Sequence, residues 1–326
     1  MDRKYFSVDM GKFFFSCLIP FLHIPFDNNC LIYFVRQYIS RFGVPFFFVA
    51  SGFFLSSSIK RRGSVTALKR YEKRILHLLV LWLIIYSPIL LRSMDSPVSF
   101  VKELLFLTPA YLWYLSALVF AAIPFCLISN RKLLWLFSAI FYFIGTLFSG
   151  SYSWFSGGIP AYTSFFLTTR NGLFFDLPLL CVGEFAHIDL KISGIATKLL
   201  FAASAIIVFL EISYVGHNVS SSADRSMYFS LPAFSYFLFI CIKNANCTFN
   251  STFWGNASIS IYLMQYGIIF IFSRLYVFTG FSLNSWGIIT LIAVIFSGMF
   301  AYWISRKKIR YNKFRKNKEA WFADLW

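Results

Sequence analysis

The sequence predicts an all-α polytopic membrane protein, a bundle of about ten transmembrane helices with both termini in the cytoplasm. Hydrophobic residues make up 58% of the 326 residues and charged residues 13%, which reverses the balance found in soluble globular domains. Aromatic residues account for 21% of the chain, as expected for lipid contacts and interfacial belts. Apolar runs also alternate with short polar breaks along the chain. These three observations exclude a soluble globular domain.

The apolar runs and the polar breaks between them give the individual spans. They predict membrane segments at 13–27, 43–58, 75–92, 111–129, 133–149, 171–187, 199–215, 227–242, 255–273 and 285–305. No long polar insertion suggests a second domain, so we expect one membrane-embedded domain over residues 1–326. Within it, residues 306–326 form a basic cytoplasmic tail.

The net charge of +17 is distributed unevenly. With the N-terminus inside, 23 of the 30 Lys and Arg residues fall in segments assigned to the cytoplasm. The other seven lie outside: Arg36, Arg41, Arg92, Lys102, Arg170, Arg225 and Arg274. The positive-inside rule therefore places both termini in the cytoplasm. We expect the basic tail to lie against anionic headgroups, and we expect no nucleic-acid partner.

The first predicted span carries an ionisable side chain, His23, near its outer end. We expect this span to be a retained helix rather than a signal peptide, because no small-residue cleavage site follows it and Pro20 and Pro25 interrupt it. An ionisable group at membrane depth costs several kcal/mol unless it faces a cavity or a partner. Lys12 lies on the cytoplasmic shoulder of the same helix. His23 is therefore either functional or a histidine that bonds a neighbouring helix or sits at the interface.

Two further segments are predicted to face the outer side. Residues 27–42 mix apolar and basic side chains and are too short to span, which predicts an outer-surface helix or a re-entrant piece. Gly150–Thr169 is a loop rich in Ser, Gly and Tyr and a candidate substrate-facing surface. In the second span, Ser51-Gly52 predicts close passage of another backbone.

The remaining polar and aromatic residues in the spans allow structural and functional interpretations. The acids Asp176, Glu184 and Glu211 fit a structural ion pair as well as catalysis. Trp113 and Tyr114 are interpreted as interfacial anchors rather than sugar-stacking platforms. The six cysteines show no CxxC pattern, and no set of His, Cys, Asp and Glu has ligand spacing. We expect neither a structural disulfide nor a metal site.

Several stretches of the chain, in order from Asp9 to Gln265, resemble the integral-membrane acyltransferase-3 family. Their sequences are DMGK at 9–12 followed by His23, GVPFFF at 43–48 with SGFFL at 51–55, KRILH at 73–77, YLWYL at 111–115, and GNASISIYLMQ at 255–265. They are similar to the family patterns D-x-x-R then H, V-P-x-F-F-x-x-S-G-F-x-L, K-R-x-x-R, H-L-W-F-L and G-x-x-S-x-x-I-Y-L-x-H. Each motif alone is weak, and their order is fairly specific.

The resemblance implies a membrane O-acyltransferase, most often an O-acetyltransferase, of the bacterial inner membrane. It implies acyl-CoA, most often acetyl-CoA, as donor and a hydroxyl of an extracytoplasmic or lipid-linked glycan as acceptor, such as an O-antigen, capsule or exopolysaccharide. It makes His23 the general base, because imidazole with its ordinary pKa of ~6.5 suits proton removal near neutral pH. No cofactor is expected to be bound permanently. Oligomeric state stays open.

The resemblance also assigns the basic residues. A cluster at the predicted cytoplasmic side is a candidate site for the donor phosphates, although an ordinary positive-inside cluster has the same composition. Its members are Lys12, Arg70, Lys73, Arg74 and His77. On the outer side, Arg170-Asn171 resembles an R-N pair in which Arg170 orients the acceptor or the thioester carbonyl. The alternative for Arg170 is an interface arginine that snorkels to water.

The chain departs from the family at four of these positions. Lys12 and His77 stand where Arg is usual, and Tyr111 and Gln265 where His is frequent. Lysine keeps the charge but loses the bidentate fork of arginine. These changes fit a subfamily variant or a weakened enzyme. The alternative function is a transporter or flippase for a lipid-linked sugar or small anion. The sequence does not show the paired broken helices that many transporters have.

Overall fold

The computed structural model describes residues 5–27, 30–90, 111–152, 169–188, 193–219, 225–245 and 253–323, with side chains as far as Arg306. All regular structure within these ranges is helical. The α-helices are α1 Phe6–Leu18, α2 Cys30–Phe34, α3 Gly43–Arg62, α4 Ser64–Leu90, α5 Trp113–Leu127, α6 Arg131–Leu147, α7 Leu177–Phe185, α8 Gly194–Asn218, α9 Leu231–Asn244, α10 Phe253–Leu275 and α11 Leu283–Ala323. Two π-helical segments, Val35–Ile39 and Gly172–Asp176, and four 3-10 segments, Ile19–Leu22, Ser40–Phe42, Gly150–Tyr152 and Tyr276–Phe278, complete the described elements.

Local chemistry sets several of the helix ends. The side chains of Asn130 and Ser193 accept hydrogen bonds from the first backbone N–H groups of α6 and α8, as N-cap residues do. Gly63 ends α3 with a φ of 79°, a left-handed conformation that glycine adopts without a Cβ penalty. Asn171 caps the second π-helical segment through the N–H groups of Leu173 and Phe174.

Each of the ten predicted spans contains helix in the described residues. Among the residues that the structure describes, five helical stretches are long and apolar enough to cross a membrane: Cys30–Arg62, Ser64–Leu90, Gly194–Asn218, Phe253–Phe278 and Leu283–Arg306. The count of ten spanning helices, the cytoplasmic termini and the single domain stay predictions. Residues 30–42, predicted at the outer surface or re-entrant, are helical and run into α3 without a break. Most of the loop at 150–169 lies outside the described residues.

The core is centred on α3, whose phenylalanines Phe46, Phe48 and Phe53 are almost wholly buried. Helix α7 crosses α3 at backbone contact. A Cβ atom at Gly52 would lie 2.1 Å from the Leu180 carbonyl oxygen, and one at Gly183 would lie 2.0 Å from the Val49 oxygen. The predicted close passage at Ser51-Gly52 is therefore confirmed, and a second glycine on α7 completes it.

A smaller apolar cluster fixes the chain that follows α1. Ile24 and Phe26 are buried against Ile261 and Ile269 of α10 and Val294 of α11. Because His23 directly precedes Ile24, this packing fixes its backbone beside α10.

Two of the three acids in the predicted spans have structural roles. Glu184 is largely buried and accepts hydrogen bonds from Arg131, at 3.0 and 2.5 Å, and from the Trp135 indole at 2.9 Å. Glu211 accepts from the Tyr152 hydroxyl and from the backbone N–H groups of Phe229 and Ser230, at the start of α9. Glu184 thus joins α6 to α7, while Glu211 caps a helix N-terminus, where negative charge is favoured.

Candidate active site

A cavity of about 1090 Å³ opens among α1, α3, α4, α5 and α10. On α3 its wall runs from Val44 to Arg62, a distance of roughly 27 Å at ~1.5 Å per residue. The end at the C-terminus of α3 is basic and is lined by Lys60, Arg61 and Arg62. Helix α4 adds Arg70 and Arg74 to the wall, and Arg74 lies close enough to act electrostatically on Lys12 and Tyr114. The other end is aromatic and apolar and is lined by Ile19, Val44, Phe47, Tyr114 and Tyr262. This shape suits a long ligand with anionic groups at one end.

Lys12 lies in the cavity wall as the sequence predicts, but its charge has a partner. Its ammonium group is 3.3 Å from the Asp9 carboxylate and 4.5 Å from the centre of the Phe54 ring. Asp9 in turn packs against Gly255, where a Cβ atom would lie 2.3 Å from the carboxylate oxygen. The Asp9 and Gly255 positions of two motifs therefore meet, and they hold Lys12 beside the cavity.

The predicted basic cluster on α4 divides between two surfaces. Arg70 and Arg74 line the cavity, whereas Lys73 and His77 line a neighbouring groove that Arg70 and Arg74 also border. The structure adds a basic stretch at the end of α3 that the sequence analysis did not select: Lys60, Arg61 and Arg62. Their signal in the sequence is their place on the same helix as the V-P-x-F-F motif.

His23 lies just beyond the aromatic end of the cavity. It follows the 3-10 turn that begins at Ile19, a cavity residue, and its side chain is partly buried. The imidazole stacks on the Tyr111 ring, with centroids 3.7 Å apart and planes 17° from parallel. Arg36 and Arg170 lie close enough to act on the imidazole electrostatically. His23 thus meets aromatic and cationic groups of the protein, although it is not itself part of the cavity lining.

Tyr111 connects His23 to the cavity. Its φ of 60° is the one positive value among described residues other than glycine. Its carbonyl oxygen accepts a hydrogen bond of 2.6 Å from the hydroxyl of Tyr262, which lines the cavity. Its ring packs edge-on against Tyr266 at 5.1 Å. Non-glycine residues with positive φ are strained and cluster at functional sites.

The R-N pair separates into a structural residue and a site residue. Asn171 is used as the cap of the π-helical segment described above. Arg170 turns into the protein, where its guanidinium lies 4.6 Å from the centre of the Trp113 ring and 3.4 Å from the Ser226 hydroxyl. Arg36 donates a 3.2 Å bond to the carbonyl of Leu22. Arg170 is partly buried, and it shares the surroundings of His23 with Arg36.

Asp176 is the acid whose role the sequence left open and the contacts do not explain. It ends the π-helical segment, its exposed fraction is 0%, and neither carboxyl oxygen has a hydrogen-bond partner among the described residues. It lies close enough to act electrostatically on Tyr71 and Tyr114, both in the cavity wall. Tyr114, predicted as an interfacial anchor, also lies 3.2 Å from the Ser51 hydroxyl. Burying an acid without a partner is costly, and such exceptions are expected at functional sites.

No group of three or more metal-ligating side chains occurs in the part of the chain that the structure describes. The cysteines found there, Cys17, Cys30, Cys126, Cys181 and Cys241, are unpaired with one another.

The helices and the cavity define an integral membrane protein. The cavity is basic at one end and aromatic at the other, and its aromatic end leads toward a histidine. The family comparison gives its class: the chain belongs to the acyltransferase-3 family, whose model, described as an acyltransferase domain, matches residues 6–305. The predicted resemblance is thereby confirmed over nearly the whole chain.

Two curated relatives carry a different name. The chain is 30% identical over 250 residues to a serine/alanine racemase of Enterococcus gallinarum, a match that covers 70% of this chain and 35% of the relative. It is 26% identical over 272 residues to an amino-acid racemase of Enterococcus faecalis, covering 75% of this chain and 38% of the relative. The chain thus spans little more than a third of the length of these relatives. No solved structure matches.

For Asp176→Asn we expect no loss of stability together with a loss of function. Asp176→Asn keeps the shape of the side chain and removes the cost of a buried ionisable group, so the melting temperature should stay or rise. If the carboxyl group serves the reaction, acyl transfer should fall about tenfold or more. Scanning fluorimetry and transfer of a labelled acyl group to acceptor would measure both. A lower melting temperature would show that Asp176 is structural, as expected for the matched variant Glu184→Gln.

Proposed function

We propose that the protein is a membrane O-acyltransferase of the bacterial inner membrane, and more specifically an O-acetyltransferase. It transfers an acyl group from acyl-CoA to a hydroxyl of an extracytoplasmic or lipid-linked glycan. The observation that carries this proposal is the cavity, whose basic end suits the donor phosphates and whose aromatic end reaches the surroundings of His23 through Tyr262 and Tyr111. The acceptor class rests on the family alone.

The donor is oriented by charge. Phosphates of acyl-CoA bind the cations at the basic end, because charge-assisted hydrogen bonds to phosphate are among the strongest in proteins. The chain bearing the thioester then extends along α3, past Phe54, Ser51 and Tyr114, toward Phe47. Lys12 lies along this path and supplies one further hydrogen-bond donor. Its positive charge is partly balanced by the Asp9 carboxylate.

The chemical step is assigned to His23 and Arg170. A nitrogen of the imidazole removes the proton of the acceptor hydroxyl as the hydroxyl oxygen attacks the thioester carbonyl. The carbonyl oxygen becomes negative, and Arg170 stabilises this charge. The C–S bond then breaks, the ester forms, and the departing CoA thiolate takes the proton from the imidazolium. Tyr111 covers one face of the ring, so the hydroxyl meets the ring at its edge.

The test of the donor site is a change in KM. The double variant Arg61→Gln/Arg62→Gln removes two cations from the basic end, and we expect KM for acetyl-CoA to rise about tenfold or more with little change in kcat. The assay is transfer of labelled acetyl groups by the purified protein. The control is Lys132→Gln, an exposed cation at the start of α6 that does not line the cavity.

A KM equal to that of the control would contradict donor binding in this cavity. Movement of a lipid-linked sugar or small anion across vesicles in the absence of a donor would instead support the transporter hypothesis. Two reconstituted assays on the same preparation therefore separate the two functions.

A further inference from the structure

A groove of about 790 Å³ lies between α4, α10 and α11, on the other side of the wall that holds Arg70 and Arg74. We propose that it binds one anionic phospholipid, with the phosphate on the basic face of α4 and one acyl chain along the apolar part of the groove. Nothing in the acyl-transfer reaction requires this site.

The basic end of the groove is one face of one helix. Arg70, Lys73, Arg74 and His77 follow the spacing i, i+3, i+4 and i+7, which places them on a single stripe, and all four are exposed. None of the described residues that line the groove is acidic. Basic pockets between helices on the cytoplasmic side of a membrane suit acidic lipid headgroups, and this is the side to which the charge distribution assigns α4's first turns.

The rest of the groove is mainly apolar, with Asn256, Ser260, Tyr302 and Ser305 as its polar residues. Leu78 and Trp82 continue the wall on α4, Leu263 and Met264 form it on α10, and Ala301 on α11. The hydroxyl of Tyr86, the next residue of α4 on that side, donates a 2.6 Å bond to the Leu263 carbonyl, so α4 and α10 meet at that level. A surface with cations at one end and apolar side chains at the other complements an anionic amphiphile.

A lipid explains this surface better than the soluble donor does. Lys73, His77, Trp82 and Met264 line the groove and not the cavity. A free phosphate would engage only the basic end and would leave the apolar wall uncovered. A lipid covers both, and its bound form would also cover the wall that Arg70, Arg74 and Leu78 share with the cavity.

Native mass spectrometry of the purified full chain tests the proposal. After detergent extraction, phosphatidylglycerol or phosphatidylcholine is added back, and the fraction of protein that retains one lipid is compared. We expect about tenfold better retention of phosphatidylglycerol by the wild type, which corresponds to roughly 1.4 kcal/mol, because cations near the membrane surface attract anionic headgroups. Lys73→Gln/His77→Gln should abolish that preference. The matched control, Lys60→Gln/Arg62→Gln, removes cations that line the cavity and not the groove, and should keep it.

Two further arms separate the sources of binding. Ala301→Trp fills the apolar part without changing charge, and we expect it to lose the lipid as well. Glycerol phosphate at the same concentration should not displace phosphatidylglycerol from the wild type. Equal retention in both double variants, equal retention of the two lipids, retention by Ala301→Trp, or displacement by glycerol phosphate would each overturn the proposal. The readout is independent of acyl transfer, so its failure leaves the proposed function untouched.

Discussion

His23→Gln is expected to lower the rate of acyl transfer by about 10²–10⁴-fold, the range typical for loss of a general base. Glutamine keeps a polar side chain that can still lie on Tyr111, but it has no basic nitrogen to accept the proton of the acceptor hydroxyl. Because His23 is not part of the cavity lining, KM for the acyl donor should change little. The effect belongs in kcat, and steady-state kinetics with labelled acetyl-CoA separates the two parameters.

The matched control for His23 is His217→Gln. His217 is exposed at the end of α8, and its replacement should leave both parameters as they are. Transfer at an undiminished rate by His23→Gln would remove the base from the proposed reaction. A rise in KM without a fall in kcat would assign His23 to binding.

Gly183→Ala is expected to prevent the folded bundle from accumulating. The new methyl group would lie 2.0 Å from the Val49 oxygen and 2.7 Å from the Phe53 nitrogen, both backbone atoms of α3. Overpacking a core typically costs ~1–3 kcal/mol when side chains can rearrange. Here α3 and α7 themselves must separate, so we expect a cost above that range. Gly52→Ala should behave in the same way, because its methyl group would meet the Leu180 backbone at 2.1 Å.

Fluorescence-detected size-exclusion chromatography measures the yield of monodisperse protein, and a thermal ramp measures its stability. Gly194→Ala is the control, because that glycine begins α8 with no atom within 4 Å of the added methyl group. A normal yield of Gly183→Ala with an unchanged melting temperature would contradict the close crossing of α3 and α7.

The sequence was sufficient for the positions of the helices but not for their ends. Spans were predicted from apolar runs, so the span at 75–92 began at the first apolar residues, whereas α4 begins at Ser64. Lysine and arginine are good helix formers and can reach water from a helix end. The same reason explains why α11 continues to Ala323 through a basic stretch.

The candidate site could be predicted in part, because single residues are visible in a sequence and their partners are not. Along α4, one stripe formed by Arg70, Arg74 and Leu78 borders both the cavity and the groove. Tyr71 lies on one flank of that stripe and Lys73 on the other, and only the neighbouring helices decide which flank meets the cavity. Gly52 predicted a close contact, but the sequence did not identify its partner Gly183, which lies on another helix far along the chain.

The acids in the predicted spans also show that a sequence does not reveal the partners of a residue. Asp176, Glu184 and Glu211 have equal standing as acidic residues in apolar segments. The structure gives them different roles: Glu184 forms an ion pair, Glu211 caps a helix, and Asp176 has no contact among the described residues that explains it. These roles depend on long-range contacts such as those of Glu184 with Arg131 and Trp135.

The bond from Tyr262 to the Tyr111 carbonyl ties the ring on which His23 stacks to α10. The stacking surface of His23 is thus held by a residue that also lines the cavity. A molecule that presses on the phenol of Tyr262 therefore also shifts the platform beneath the ring. If the proposed reaction takes place here, entry of the thioester and alignment of the His23 ring would be coupled, and proton removal would wait for the thioester.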